Sequence, residues 1–197
     1  MLDNNGFNLW ANDYDKQVNI SEENNEYPFA GYKDVLNYIY NQVREQSTPD
    51  VLDIGFGTGG LTTQLYNIVC NIAKKKMPDA LLVNWDFTKG LPEEIKNCKF
   101  DYIISTYALH HLTDEEKIRF IKSLLNRLNA NGKILVGDVS FETKKELKEC
   151  NNRYKEIWDN DEVYFAADEL KMAFADTCYC TYNKISHCAG VLTLTNR

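Results

Sequence analysis

The sequence predicts an α/β fold in which a doubly wound, mostly parallel sheet is covered by helices on both faces. Short apolar runs of strand length alternate along the chain with longer stretches whose apolar residues recur at helical spacing. A glycine-rich turn directly follows the first of these strands, and a last apolar run predicts an antiparallel strand near the C-terminus. Alternation of strands and helices is typical of parallel sheets, because each strand needs a crossover to reach its neighbour.

Local patterns place the predicted elements in order along the chain. Apolar residues at helical spacing predict a helix over 32–45, which Ser47-Thr48-Pro49 ends because proline cannot continue a helix. A second helix is predicted at about 61–68, after the glycine-rich turn. The predicted buried strands lie at 51–54, 81–83, 101–105 and 133–138.

The third predicted helix, over 114–128, has recognisable signals at both ends. Thr113, with Glu116 three residues later, forms a capping box at its start. Asn131-Gly132 is typical of a helix C-terminus and is predicted to end it. The last part of the chain is predicted to contain helices near 144–158 and 167–174 and an edge strand at 191–194.

At 197 residues the chain has the length of one domain. Residues 1–31 are polar and rich in asparagine, and they carry scattered aromatic side chains. This composition predicts an N-terminal arm or lid with a short helix near 9–16. Residues 32–197 are predicted to form a single domain around one core.

Charge and composition exclude several classes of partner. The net charge of −7 and the pI of about 5.0 oppose binding to a phosphate backbone, so no nucleic-acid partner is expected. The sequence has no run of 18 apolar residues that predicts a membrane span and no pattern that predicts a signal peptide. A small-molecule partner and a cytoplasmic protein, monomeric or homodimeric, are therefore expected.

The six cysteines form no CxxC pair, which is typical of reduced thiols in a cytosolic protein. Cys178, Cys180, His187 and Cys188 lie close together in the sequence, as zinc ligands often do. Their spacing matches no familiar zinc pattern, and a free cysteine commonly serves as a small buried apolar residue. No metal site is predicted from the sequence.

The strongest chemical signal is the turn Gly55-Phe56-Gly57-Thr58-Gly59, which follows the strand at 51–54. Glycine allows positive φ and close approach of a ligand to the main chain, and the following helix N-terminus offers free N–H groups to an anionic group. A dinucleotide fingerprint also matches this turn, but it expects an acidic residue about 20 positions further on. The chain has Lys74-Lys75-Lys76 there, and Asp53 before the turn favours a different cofactor.

Four stretches taken together resemble the motifs of class I S-adenosylmethionine-dependent methyltransferases. These stretches lie at 53–59, 84–87, 101–112 and 129–135. The segment at 10–15 is similar to one found in small bacterial members of uncertain acceptor. The resemblance implies a Rossmann-like doubly wound fold and methyl transfer from S-adenosylmethionine to a small-molecule acceptor.

The resemblance also implies where the cofactor binds. Asp53 would hold the methionine ammonium group, and the glycine turn would lie under the ribose and the methionine part. Asp86 would accept a hydrogen bond from the adenine amino group, with Phe87 or Trp85 packed on the ring. The implied cofactor-binding residues are Tyr14, Asp53, Gly55, Gly57, Gly59, Asp86, Phe87 and Thr106.

Candidate catalytic residues follow the strand at 101–105. They are Tyr107, His110 and His111. One of the two histidines is expected to face the pocket, where it could act as a general base, and the other to pack. Base assistance is not obligatory for methyl transfer, so support of the loop is the alternative role. Two other functions remain open: a non-catalytic S-adenosylmethionine-binding protein, and an NADP-linked oxidoreductase.

The interval before the strand at 81–83 is too short for the expected topology. About a dozen residues cannot hold both a strand of about five residues and a helix of about ten. In the resembling family this interval contains the second strand and an acidic residue that binds the ribose hydroxyls. Either a true deletion or about a dozen residues left out of the sequence near 70–73 would explain the gap, and the intact motifs around it favour the second.

Overall fold

The fold is seen in a computed structural model that describes residue 18 and residues 20–55, 61, 83 and 85–197. In these residues the sheet has the order β1-β2-β3-β6-β5, with the short strand β4 paired to the end of β3. The strands are β1 (Val51–Ile54), β2 (Phe100–Thr106), β3 (Leu128–Phe141), β4 (Phe165–Ala166), β5 (Cys178–Lys184) and β6 (Ala189–Asn196).

The strands of this sheet are parallel on one side and antiparallel on the other. β1 pairs parallel with β2, and β2 pairs parallel with β3. β6 then pairs antiparallel with both β3 and β5. The carboxyl ends of β1, β2 and β3 therefore meet at one edge of the sheet, where open α/β sheets bind their ligands.

Helices cover both faces of the sheet. They are α1 (Tyr32–Arg44), α2 (Asp114–Leu125), α3 (Lys144–Arg153) and α4 (Ala167–Ala173). On one face α1 and α3 pack against Ile104 and Leu135, and on the other face α2 and α4 pack against Ile103 and Ile134. Neighbouring strand residues thus enter opposite cores, as the pleat of a strand requires. The predicted α/β class with helices on both faces is confirmed.

The start of α2 agrees with the prediction and its end does not. The Thr113 hydroxyl and the Glu116 carboxylate form the predicted capping box. The helix ends at Leu125, and Gly132 lies inside β3 rather than after a helix. A Cβ at Gly132 would lie 2.8 Å from the carbonyl oxygen of Phe100, so glycine is needed here for the close approach of β2.

The prediction of an edge strand at 191–194 was wrong. This segment belongs to β6, which is hydrogen-bonded on both sides by β3 and β5. Among the described residues the edge is formed by β5, which the sequence did not predict. Most side chains of β5 are exposed, and the segment lacks the apolar run that identified the other strands.

The described end of the N-terminal arm packs on the domain. Tyr27 and Ala30 are buried in the core beside α1, and the ring of Tyr27 stacks on Trp158 with centroids 5.0 Å apart. The Ser186 hydroxyl donates a 2.6 Å hydrogen bond to the Ala30 carbonyl. The predicted helix near 9–16 lies outside the described residues, and the role of the arm as a lid stays a prediction. Among the helices that the structure describes, none is long and apolar enough to span a bilayer.

Candidate active site

Gly55, the first residue of the predicted glycine turn, lies against two other segments at the carboxyl edge of the sheet. Gly55 has φ +72°, a conformation that favours glycine. A Cβ at this position would lie 2.5 Å from the Cβ of Ala108 and 4.0 Å from the ring of Phe87. The end of β1, the segment after β2 and the turn that begins at Phe87 are therefore in close contact around Gly55.

Three other predicted cofactor-binding residues lie on the segments that meet here. Asp53 is partly buried on β1, where it is paired in register with Ile104 of β2. The Asp86 carboxylate is exposed and lies 3.4 Å from the Lys89 ammonium. Phe87 is half-buried and packs on Phe120 of α2, with ring centroids 5.8 Å apart. An exposed carboxylate thus lies next to an aromatic ring beside the glycine turn.

Of the four remaining predicted cofactor-binding residues, the structure describes one. Thr106 is the last residue of β2, in register with Gly137 of β3. Tyr14, Gly57 and Gly59 lie outside the described residues, as does the segment near 70–73. Their roles remain predictions.

Tyr107, a predicted catalytic residue, is buried by aromatic neighbours. Its ring centroid lies 4.8 Å from that of Tyr32 and 5.8 Å from that of Phe29. Its backbone N–H donates a 2.8 Å hydrogen bond to the carbonyl of Gly137, and its φ is +50°. A non-glycine residue in this region is uncommon and is often found at functional sites.

His110 is buried and is fixed by a carboxylate that the sequence analysis did not select. Its Nδ1 lies 2.7 Å from Oδ1 of Asp138, which also accepts a 2.8 Å hydrogen bond from the Val139 N–H. Asp138 is fully buried in β3, immediately after the last residue of β3 that pairs with β2. Burial opposes the charged imidazole, but Asp138 and then Glu162 outweigh it and raise the pKa of His110 above its ordinary value.

Glu162 contacts the other nitrogen of the same ring. Its Oε1 lies 3.4 Å from Nε2 of His110, and its Oε2 accepts a 2.5 Å hydrogen bond from the Tyr164 hydroxyl. The Tyr164 hydroxyl also lies 2.7 Å from that of Tyr27, so polar contacts run from Asp138 to the N-terminal arm. Burial raises the pKa of Glu162 above its ordinary value. Burial also raises the pKa of Tyr27, to about 12.

His111 differs from its neighbour in exposure. Its side chain is open to solvent, and its ring lies edge-on to that of His110, with centroids 4.3 Å apart. Surrounding protein atoms and then the neighbouring His110 lower the pKa of His111 to about 4. His110 is therefore the packed residue of the two, and the expectation that the other histidine faces the pocket stays a prediction.

A buried lysine holds the loop that carries Glu162. The Lys117 ammonium donates hydrogen bonds to the carbonyls of Leu112 and Val163, at 2.7 and 2.5 Å, and lies 3.4 Å from the Asp114 carboxylate. The Val163 N–H in turn donates a 2.8 Å hydrogen bond to the carbonyl of His110. Burial lowers the pKa of Lys117 below its ordinary value. The strand-to-helix loop and the segment after α3 are thereby fixed to each other.

The cysteines near the C-terminus are divided between the two cores. Cys178 and Cys180, two residues apart on β5, pack in the core that contains α2 and α4. Cys188 is buried in the opposite core, beside α1. This division explains why closeness in sequence does not bring these thiols together as one set of ligands.

Curated relatives identify the family. An uncharacterized methyltransferase of Oceanobacillus iheyensis is 37% identical over 155 residues, covering 71% of this chain and 68% of its own length. The chain belongs to this methyltransferase family. A methyltransferase of Bacillus mycoides, also uncharacterized, is 31% identical over 213 residues, covering 97% of this chain and 96% of its own. No protein-family profile matches the chain.

The matched region of the Bacillus mycoides methyltransferase, 213 positions, is longer than the 197 residues of this chain. The relative therefore has residues that this methyltransferase lacks.

A solved structure supports the fold. The magnesium protoporphyrin IX methyltransferase of Synechocystis PCC 6803, with bound SAH, has a TM-score of 0.59 to this methyltransferase at 11% identity. The match covers 86% of this chain and 85% of that one.

Proposed function

We propose that this methyltransferase transfers a methyl group from S-adenosylmethionine to a small-molecule acceptor. The observation that carries the proposal is the contact of Gly55 with Ala108 and Phe87, which joins three segments at the carboxyl edge of the sheet. Ligands of open α/β sheets bind at this edge. The magnesium protoporphyrin IX methyltransferase with the same fold holds SAH, the product that S-adenosylmethionine leaves after transfer.

The residues around the glycine turn fit the chemistry of an adenosyl group. The exposed Asp86 carboxylate can accept a hydrogen bond from the adenine amino group, and the half-buried ring of Phe87 offers an apolar surface to the base. Asp53 and Thr106 lie at the ends of β1 and β2, on the side of the methionine part in this proposal. Gly55 lets the end of β1 approach Ala108 closely beside this site. Tyr14, Gly57 and Gly59 complete the proposed cofactor site.

The proposed acceptor site lies beside His110 and His111, after the end of β2. An acceptor heteroatom uses its lone pair to form a bond to the methyl carbon while the carbon–sulfur bond breaks. The sulfur keeps the bonding electrons, and the acceptor's proton leaves to water. In this proposal His111 touches the acceptor, His110 holds the loop through Asp138, and Tyr107 positions the end of β2.

A small molecule suits the surface of this methyltransferase better than a nucleic acid. The chain carries a net charge of −7, which repels a phosphate backbone. The magnesium protoporphyrin IX methyltransferase is named for a small-molecule acceptor. We also propose a cytoplasmic monomer or homodimer.

Transfer of isotope-labelled methyl groups into a metabolite extract, followed by mass spectrometry, tests the proposed methyl transfer and identifies the acceptor.

Replacing Asp86 tests the cofactor site directly. Asp86→Ala is expected to weaken S-adenosylmethionine binding by about 1–3 kcal/mol, or about 5- to 150-fold, because the adenine amino group loses its acceptor. Calorimetric titration of the full chain measures the affinity. Asp176→Ala, at another exposed aspartate, is the matched control and should bind with unchanged affinity. Equal affinities of both variants would remove Asp86 from the site, and no binding by the unmodified chain at millimolar cofactor would overturn the proposed function.

A further inference from the structure

We infer that His110, His111 and Glu162 together bind one divalent transition-metal ion. One ligand atom from each of these three side chains lies within 4.8 Å of the other two. Two imidazoles and a carboxylate are a ligand set that suits first-row transition metals, including zinc and ferrous iron. The sequence did not predict this site, because Glu162 is 51 positions after His111.

Asp138 orients His110 in the way that metal-binding histidines are oriented. In most such sites the ring nitrogen that does not bind the metal donates its hydrogen to a carboxylate or carbonyl. Nδ1 of His110 lies 2.7 Å from the fully buried Asp138 carboxylate, which fixes the ring. Nε2 then points to the Glu162 carboxylate, and a metal ion that binds at this nitrogen takes the place of its proton.

The distance between His110 and Glu162 fits a shared metal ion. Nε2 and Oε1 are 3.4 Å apart, which is longer than the usual N–H···O hydrogen bond of about 2.7–3.2 Å. Two ligand atoms at about 2.1 Å from a tetrahedral zinc ion are separated by about 3.4 Å. An ion could therefore enter between these atoms without moving either side chain far.

The charges around the three ligands favour a dication. Asp138 and Glu162 supply two carboxylates, and Asp159 lies near enough to act on both His111 and Glu162. Lys117 also acts on His110, but its ammonium is already bonded to two backbone carbonyls and paired with Asp114. Its charge is thus largely compensated within the loop.

Three protein ligands leave at least one position of the ion open, and the exposure of His111 gives solvent access to it. If the proposed function is correct, this position is at the acceptor side of the site. The acceptor class would then be a molecule with an oxygen atom that binds a transition metal. This last step rests on the proposed function, whereas the binding of the metal does not.

The test is a calorimetric titration of the chelator-treated full chain with Zn²⁺, without cofactor. One equivalent is expected to bind to the unmodified chain, and Mg²⁺, which prefers oxygen ligands, is expected not to compete. Glu162→Gln and His111→Asn, at sites that are partly or fully open to solvent, should each weaken binding by at least about tenfold. Circular dichroism should show that both variants keep the fold.

Two controls distinguish this site from other zinc ligands. His187→Asn, at the remaining histidine, and Glu149→Gln, at an exposed glutamate of α3, are expected to bind Zn²⁺ as the unmodified chain does. Loss of binding in His187→Asn but not in Glu162→Gln would place the zinc at the C-terminal cysteines and overturn the inference. Failure of all variants and the unmodified chain to bind Zn²⁺ would also overturn it. Neither result would affect a separately measured affinity for S-adenosylmethionine.

Discussion

Gly55→Ala is expected to destabilise this methyltransferase by about 2–6 kcal/mol and to abolish S-adenosylmethionine binding. Two costs combine at this position. A side chain held at φ +72° costs about 1–3 kcal/mol, and a Cβ placed 2.5 Å from the Cβ of Ala108 adds about 1–3 kcal/mol of overpacking. Relief of the clash requires the segments around the proposed cofactor to separate, so binding is lost together with stability.

Gly90→Ala is the matched control for this variant. Gly90 also has positive φ, +89°, but nothing lies within 4 Å of the Cβ that alanine would add. The control should therefore lose only the backbone contribution of about 1–3 kcal/mol. Urea unfolding at an unchanged m value measures both losses.

A second substitution separates the two costs. Ala108→Gly in the Gly55→Ala background removes the clashing methyl group and should recover the steric part of the loss, but not the backbone part. If Gly55→Ala cost no more than Gly90→Ala, the close contact between Gly55 and Ala108 would be contradicted.

Features fixed by neighbours in the sequence were predicted well. The capping box of Thr113 and Glu116 needs only residues three positions apart, and the turn at Gly55 needs only the glycine pattern after an apolar strand. The alternation of strands and helices was enough to predict helices on both faces of the sheet.

Features that depend on distant residues were missed. Asn131-Gly132 has the local chemistry of a helix end, but pairing with β2 overrides it and draws Gly132 into a strand. Asp138 was seen only as the end of a predicted strand, because its partner His110 is 28 positions earlier. A carboxylate within an otherwise apolar strand was the available signal for Asp138. Glu162 lies in a loop without periodicity, so no local pattern identifies it.

His110→Ala and His111→Ala are expected to have unequal effects on the free energy of unfolding although the residues are adjacent. His110→Ala removes the imidazole beside the buried Asp138 carboxylate, whose Oδ1 then keeps only the hydrogen bond from the Val139 N–H. Breaking a buried ion pair from one side costs about 3–5 kcal/mol, because the remaining charge has lost its partner. His111→Ala removes an exposed side chain and should change the free energy of unfolding by less than about 0.5 kcal/mol.

The two histidine variants should also differ in their rates of methyl transfer. If His111 touches the acceptor, His111→Ala lowers the rate of methyl transfer while the affinity for S-adenosylmethionine stays unchanged.

Urea unfolding in the presence of a chelator measures the stabilities of both histidine variants without a contribution from bound metal. Asp138→Asn combined with His110→Ala should recover part of the lost stability, because a neutral amide is less costly to bury than an unpaired carboxylate. Equal losses of stability in the two single variants would show that Asp138 does not depend on His110, and the loop after β2 would then need another support.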